Sequence, residues 1–319
     1  MRLHLYLLPL AAALSHSTFA GDADRADLRV RIRPNEILHY AWTINSSSAS
    51  SGREQGRAFT LTSESIFGLT LILKGLPQKH EGSPVSVRLH DFAYTDRRSI
   101  GADSKTELVV SKGRIKYTEN GKLLVDSEND IGAERLAGYQ QHIKNLENSE
   151  MRTVLDFSGR QNEVTGDSSL VETVKSGGAH GIFPILAGKE VAPGESWEDS
   201  FSMPQIGDFK LARSATVRSK MKFSRWVLND GKSLAEIELV SAWDKQDLRG
   251  ESEGGLLVEI TRVDGRGTGT CLFDPATGHF VNGSIDVNVK YRIDGELDGQ
   301  TTGLDVSGKT HFTFQEKPE

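Results

Sequence analysis

"IDVNVKYRI", residues 285–293, decides how the chain folds. Ile285, Val287, Val289, Tyr291 and Ile293 recur at every second position, with Asp286, Asn288, Lys290 and Arg292 between them. Side chains alternate across a strand. The stretch therefore reads as a strand with one apolar and one wet face, the habit of antiparallel sheets. "LRVRI" (28–32) and "LHYAWTI" (38–44) repeat the pattern. Apolar alternation and β-branched content place further strands at 57–64, 67–74, 83–93, 106–118, 121–126, 151–157, 210–227, 233–243, 254–263, 266–273 and 306–314. "ENGK" (119–122), "NDGK" (229–232) and "DPATG" (274–278) supply hairpin turns between them.

Two segments change period. From 130 to 148, Ile131, Leu136, Tyr139, Ile143 and Leu146 fall on one helical face. A second, short helix is expected at 168–176, after an Asp-Ser-Ser cap and before Gly177-Gly178. The longer helix is the expected cover for the sheet's apolar face.

The halves of the chain resemble each other. "PNEILHYAWTI" (34–44) and "PGESWEDSFSM" (193–203) both place Pro-x-Glu before a strand. Val87 and Leu89 align with Ile237 and Leu239, and "GKLLVD" (121–126) aligns with "GTCLFD" (269–274). The fold class expected is mainly β: an antiparallel, curved and twisted sheet in two related halves, with one or two packed helices. The divisions expected are a signal peptide at 1–20, an N-terminal β half at 21–150 carrying the helix 130–148, and a C-terminal β half at 151–319.

Composition limits the partners. With 38 basic and 44 acidic residues the chain has a net charge of −6, and the charges are interspersed. That argues against nucleic acid and against anionic membrane surfaces as partners. "MRLHLYLLPLAAALSHSTFA" has one Arg, an apolar run from Leu5 to Leu14, and small residues up to Ala20. This is the layout of a secretory signal, and its apolar run is about half the ~20 residues that a spanning helix needs. The protein is expected to be exported, periplasmic or extracellular, and soluble. Cys271 is the one cysteine, so no internal disulfide can form, and its apolar setting reads as an inert buried thiol.

Motifs for chemistry are sparse. Gly194-Glu195-Ser196 begins like a nucleophile elbow, but Glu198 replaces the second glycine and Trp197, Phe201 and Met203 follow at strand spacing. Pro193-Gly194 reads as a turn and Trp197 as a packing residue. Asp294, Glu296 and Asp298 approximate a calcium loop but lack the bidentate Glu and the flanking helices. They are the weak metal candidates, set against a solvated acidic turn. No His-Glu-x-x-His and no paired cysteines suggest zinc. His180 in "SGGAHG" (176–181) sits after a helix rather than before one, which suits a cap and not a phosphate cradle. Alternate glycines in "DGRGTGT" (264–270) signal a bulge or a close approach within a strand.

"FPILAGKEVAPGESWED" (183–199) and "GTGTCLFDPATGHFVNG" (267–283) resemble a family of exported bacterial proteins of unknown function. The matching features are the Val-x-x-Gly-Glu-Ser-Trp turn (Val191, Gly194 to Trp197) and the Phe-Asp-x-x-x-Gly turn (Phe273, Asp274, Gly278). The resemblance implies an exported antiparallel β protein and brings over no catalytic residue.

These readings lead to a non-catalytic exported protein that needs no cofactor and binds a hydrophobic small molecule or an envelope partner. An envelope hydrolase and a structural envelope protein are the alternatives. The mature chain should start at Gly21, and the mass of the exported form would show it; retention of residues 1–20 would overturn the export reading.

Overall fold

The computed structural model describes residues 25–318, apart from 55–56, 78–80, 102–103, 130, 168–170, 172–181, 207–208, 245–247, 253–256 and 298–299. Residues 1–20, His180, Asp298 and nearly all of the expected second helix lie outside the described residues. The strands are β1 (Ala26–Asp27), β2 (Ile37–Glu54), β3 (Arg57–Gly75), β4 (Ser83–Ile100), β5 (Ser104–Ser111), β6 (Arg114–Glu119), β7 (Lys122–Asp126), β8 (Glu150–Leu155) and β9 (Gln161–Gly166). They continue with β10 (Glu190–Val191), β11 (Ser196–Ile206), β12 (Phe209–Asn229), β13 (Lys232–Trp243), β14 (Leu248–Ser252), β15 (Leu257–Asp274), β16 (His279–Leu297) and β17 (Gln300–Lys317). The helix α1 spans Ala133–Asn148.

Fifteen strands form one antiparallel sheet in the order β11-β12-β13-β15-β16-β17-β2-β3-β4-β5-β6-β7. β14 sits between β12 and β15, and β8 and β9 branch from β4. The branch has a simple cause. Residues 83–88 of β4 pair with β8, whereas residues 93–100 pair with β5. At the first end of β4 the sheet's two edges are therefore β9 and β11. Arg160, beside β9, makes an ion pair with Asp199 of β11. The sheet curls until these edges meet through side chains; no ladder joins them among the described residues. Because β8 and β9 lie beside β4, residues 150–166 belong with the N-terminal strands.

The main core fills the curl. Val85, Val87, Met151 and Leu155 from one side join Met221, Phe223, Ala235 and Ile237 from the other in one buried cluster. The expected cover was the helix, and this is corrected: α1 packs on β4 and β7 at the edge of the sheet. There Ile143 closes a separate small cluster with Val110, Ile115 and Val125. Ile131 lies before the helix and is exposed, and the side chains of Leu136, Tyr139 and Leu146 are outside the described residues. The main core is covered instead by extended chain at 28–32 and 182–191. "LRVRI" is therefore not a sheet strand. Leu28, Val30 and Ile32 are buried, while their N–H groups donate to Lys189 O, Phe157 O and Ser83 Oγ. Paired in this way, a loop can lie in a core without orphaned backbone.

Two further expectations are corrected. Residues 106–118 are a hairpin, because Lys112 and Gly113 both take positive φ (50° and 75°), as a tight primed turn requires. Residues 254–256 lie outside the described residues, and the rest of the strands expected at 254–263 and 266–273 is one strand, β15, bulged between Thr261 and Asp264 where Arg262 has φ 54°. The alternate glycines of this strand answer to close approach: a Cβ on Gly265 would sit 2.5 Å from the Trp243 ring, and one on Gly267 2.3 Å from Ser241 Oγ.

The paired turns share their hydrogen bonds. Glu36 N donates to Arg33 O and Glu195 N to Ala192 O, both at 3.1 Å, with Asn35 and Gly194 at positive φ. Asn35 N donates to Gly75 O and Gly194 N to Phe223 O, and the return bonds from Gly75 N and Phe223 N match as well. The register then pairs Gly75 with Val85 and Phe223 with Ile237. By these bonds the counterpart of Ile237 is Val85, two residues from the expected Val87, and a slip of two keeps the face. Asp126 ends an outer hairpin. Asp126, Asp156 and Asp274 each accept from the N–H two residues on, and the turns of Asp156 and Asp274 end in glycines at φ 85° and 83° (Gly159, Gly278).

Trp197 is half-buried against the main core and donates its Nε1–H to Ile185 O at 2.9 Å. Ser196 is the exposed first residue of β11. Trp197→Ala should lower unfolding stability by about 3 kcal/mol. Ser196→Ala should change it by less than about 0.5 kcal/mol. Urea titration of both variants checks this.

Candidate functional site

The two faces of the sheet differ in chemistry. The face away from the core holds cross-strand ion pairs, Arg97–Glu107 at 2.7 Å, Arg225–Glu236 at 2.9 Å and Arg292–Asp305 at 3.1 Å, and a hydrogen bond between His311 Nδ1 and Asp286 Oδ1 at 2.8 Å. Shallow grooves on this face are lined mainly by Ser, Thr and charged side chains. The core face is apolar at the curled end and again in a second cluster around Ile260 and Ile293. Between these lies a belt of small side chains. Thr310, Ser46 and Ser65 are paired in register across β17, β2 and β3, and Gly308, Ser48 and Ser63 form the next row. Ser46 Oγ and Thr310 Oγ1 are 3.2 Å apart.

At its β4 end the belt runs into a groove of about 550 Å³, formed by β4 to β7 above the cluster that α1 covers. Register builds it. Asp96, Leu108, Tyr117 and Val125 stand in one cross-strand row, and Tyr94, Val110 and Ile115 in the next. Arg98 and Thr106 face each other in a third. The floor is aliphatic (Leu108, Ile115, Val125), the two phenols flank it, and one charged pair stands at the end that leads to the belt. Asp96 is nearly buried. Its Oδ2 accepts from Arg98 Nε at 2.8 Å and its Oδ1 from Ser63 Oγ at 3.3 Å. The Arg98 side chain is 60% exposed, against 11% for Asp96. Tyr94 hydrogen-bonds Arg98, and burial first, then the Asp96 charge, raise its pKa.

The sequence-derived candidates lie elsewhere. Asp294 is in strand β16 and not in a loop, ion-paired to Arg292, which also binds Asp305. Glu296 is in the same strand, opposite Thr301. Among the described residues no group of three His, Cys, Asp or Glu is placed to hold a metal. Cys271 is buried in the main core, where desolvation pushes its thiol up to about 12. That is the wrong direction for a nucleophile. Thr70 Oγ1 accepts from Lys317 Nζ at 2.8 Å and donates to Asp91 Oδ2 at 3.0 Å. Thr70 is 4% exposed, and its hydroxyl pins the bulge beside Asp91 (φ 54°). Sequence reasoning missed Tyr94, Asp96 and Arg98. They lie past the strand expected at 83–93, and the bulge at Asp91 (φ 54°) switches which parity faces the core, so local alternation did not place them on that face.

No family model and no curated protein matches this sequence. Among solved structures, an outer membrane channel from Pseudomonas putida is similar at 9% identity, covering 91% of this chain and 98% of that one, with a TM-score of 0.22. OpdH of Pseudomonas aeruginosa matches at 7% identity over 88% of this chain and 98% of its own, with a TM-score of 0.22. The TodX monoaromatic hydrocarbon channel, as a mutant, matches at 9% over 90% and 91%, with a TM-score of 0.18. Likeness at that level supports no argument about this chain.

Tyr94 sets a pH dependence. A folded-state pKa above the unfolded value of about 10 means that the folded protein holds its phenolic proton longer. That contribution is fully present below pH 10 and is lost as pH rises through the folded value. Tyr94→Phe should flatten the fall in stability above pH 10. Asp96→Asn should bring the phenol's absorbance titration nearer its ordinary midpoint.

Proposed function

We propose that this is an exported, non-catalytic binding protein that holds a small amphipathic molecule in the core-face groove. One observation supports the reading above the others: an open groove with an aliphatic floor, two tyrosines and a single Asp–Arg pair, on the otherwise dry face of the sheet. Its volume of about 550 Å³ lies within the range of about 300–1,000 Å³ typical of small-molecule sites, and its lining has their usual make-up of apolar walls and few polar groups. The ion pairs on the opposite face favour a sheet that turns this face to water. A membrane barrel needs an apolar band of about 25 Å there. The signal-like residues 1–20 support export. The shared turns at Pro34 and Pro193 support reading the halves as copies of one unit.

A neutral environment-sensitive dye, N-phenyl-1-naphthylamine, should brighten on binding. Leu108→Trp, which fills the groove, should abolish this at unchanged helix and strand content by circular dichroism. No brightening, or brightening that Leu108→Trp leaves intact, would place any apolar site elsewhere and overturn the reading.

A further inference from the structure

We infer that the groove selects single-chain amphiphiles with a carboxylate head, seated on the guanidinium of Arg98 with the tail along Leu108, Ile115 and Val125. This rests on the proposed binding function and adds to it the ligand's charge and direction. The argument starts from which charge the groove presents. Asp96 has both oxygens engaged, by Arg98 Nε and Ser63 Oγ, and is nearly covered. Arg98 is mostly exposed, and the bond to Asp96 uses Nε, so its terminal nitrogens are not held by that carboxylate. Asp96 and Arg98 are the only ionised groups in the lining. A ligand entering the groove therefore meets an exposed cation fixed from behind by a buried anion.

Two features match that cation to a carboxylate. A guanidinium presents a planar fork of donors, and a carboxylate is the planar acceptor that fits it. Anchoring through Nε removes part of the freedom the side chain would otherwise lose on binding, which lowers the cost of the contact. Tyr94, already bonded to Arg98, and Thr106, opposite it in register, add hydroxyls at the same end. At the other end of the rows Ile115 and Val125 are buried and without polar side-chain atoms, and the Tyr117 phenol beside Val125 is the polar group there. The groove thus has its charge at one end and a mainly apolar lining at the other, and a ligand with the same polarity fits it in one direction.

The test compares three probes of equal chain length, decanoate, decanol and decyltrimethylammonium, by isothermal titration calorimetry on the mature protein. Decanoate should bind about tenfold more tightly than decanol, the size of one charge-assisted bond, and the ammonium should bind more weakly than decanol. Arg98→Gln should remove that tenfold advantage while decanol affinity stays within about twofold. Because Arg98→Gln leaves Asp96 unpaired, the double variant Asp96→Asn/Arg98→Gln is measured beside it and should behave alike. Decanol binding as tightly as decanoate, or decanoate affinity that survives both variants, would overturn the head-group assignment while leaving the groove as a binding site. No binding by any of the three would overturn the binding function itself, and this inference with it.

Discussion

The fold depends on how an antiparallel sheet with a largely apolar face keeps the apolar part from water. Here two stretches of extended chain, 28–32 and 182–191, lie inside the curl. Leu28, Val30, Ile32 and Leu186 are almost wholly buried, and each brings backbone groups with it. The structure satisfies these with carbonyls from turns that belong to the sheet: Phe157 O for Val30, Gly278 O for Arg31 and Ser158 O for Leu186. The glycines of those turns have a second role, since a Cβ on Gly278 would meet Arg31 Cβ at 2.8 Å and one on Gly159 would meet Val30 Cγ2 at 3.0 Å. Positive φ and close approach thus fall on the same residues, which only glycine supplies without strain.

That filling governs where a ligand can go. The curled end is closed by Phe183 stacked on Phe280 at 5.0 Å, with Tyr40 and Phe314 edge-on to it. The far end of the C-terminal strands is closed by Ile260, Ile293 and their neighbours. What is left open on the core face lies beyond α1, where β4 leaves β8 and takes up β5. The groove is a consequence of that change of partner. A strand of 18 residues is longer than the packed core needs, and its second half carries three more strands outward with a helix long enough to cover only part of them.

The antiparallel class was legible because alternation is a local signal: "IDVNVKYRI" lies in β16 with Val287, Val289, Tyr291 and Ile293 on the core-facing side, as read. Trp197 and Cys271 were legible for the same reason. The plug was not. "LRVRI" alternates as well as any strand, and nothing local separates an extended segment that packs on a sheet from one that pairs within it. The Lys112-Gly113 turn was hidden because a Lys before Gly is a weaker turn signal than the Asn-Gly at 120–121. The groove was least legible of all. Tyr94, Asp96 and Arg98 form one row of β4 in sequence, but their meaning comes from β3 and β5, which place Ser63 beneath the carboxylate and Leu108 beside it.

The placement of Asp96 argues that this pair is more than a surface contact. Exposed ion pairs contribute about 0–1 kcal/mol, and the many on the opposite face need no further account. A carboxylate taken out of water has a desolvation cost that a single exposed guanidinium does not fully offset. On a face otherwise given to Val, Leu, Ile and small hydroxyls, an apolar residue at position 96 would pack beside Leu108 without that cost. What the carboxylate adds is orientation: it holds a guanidinium at the mouth of an apolar groove, facing the space a ligand would enter. A buried acid that is a poor choice for stability is a good choice for aiming a cation, and the Ser63 hydroxyl, with Arg98 Nε, supplies the hydrogen bonding that such an acid requires.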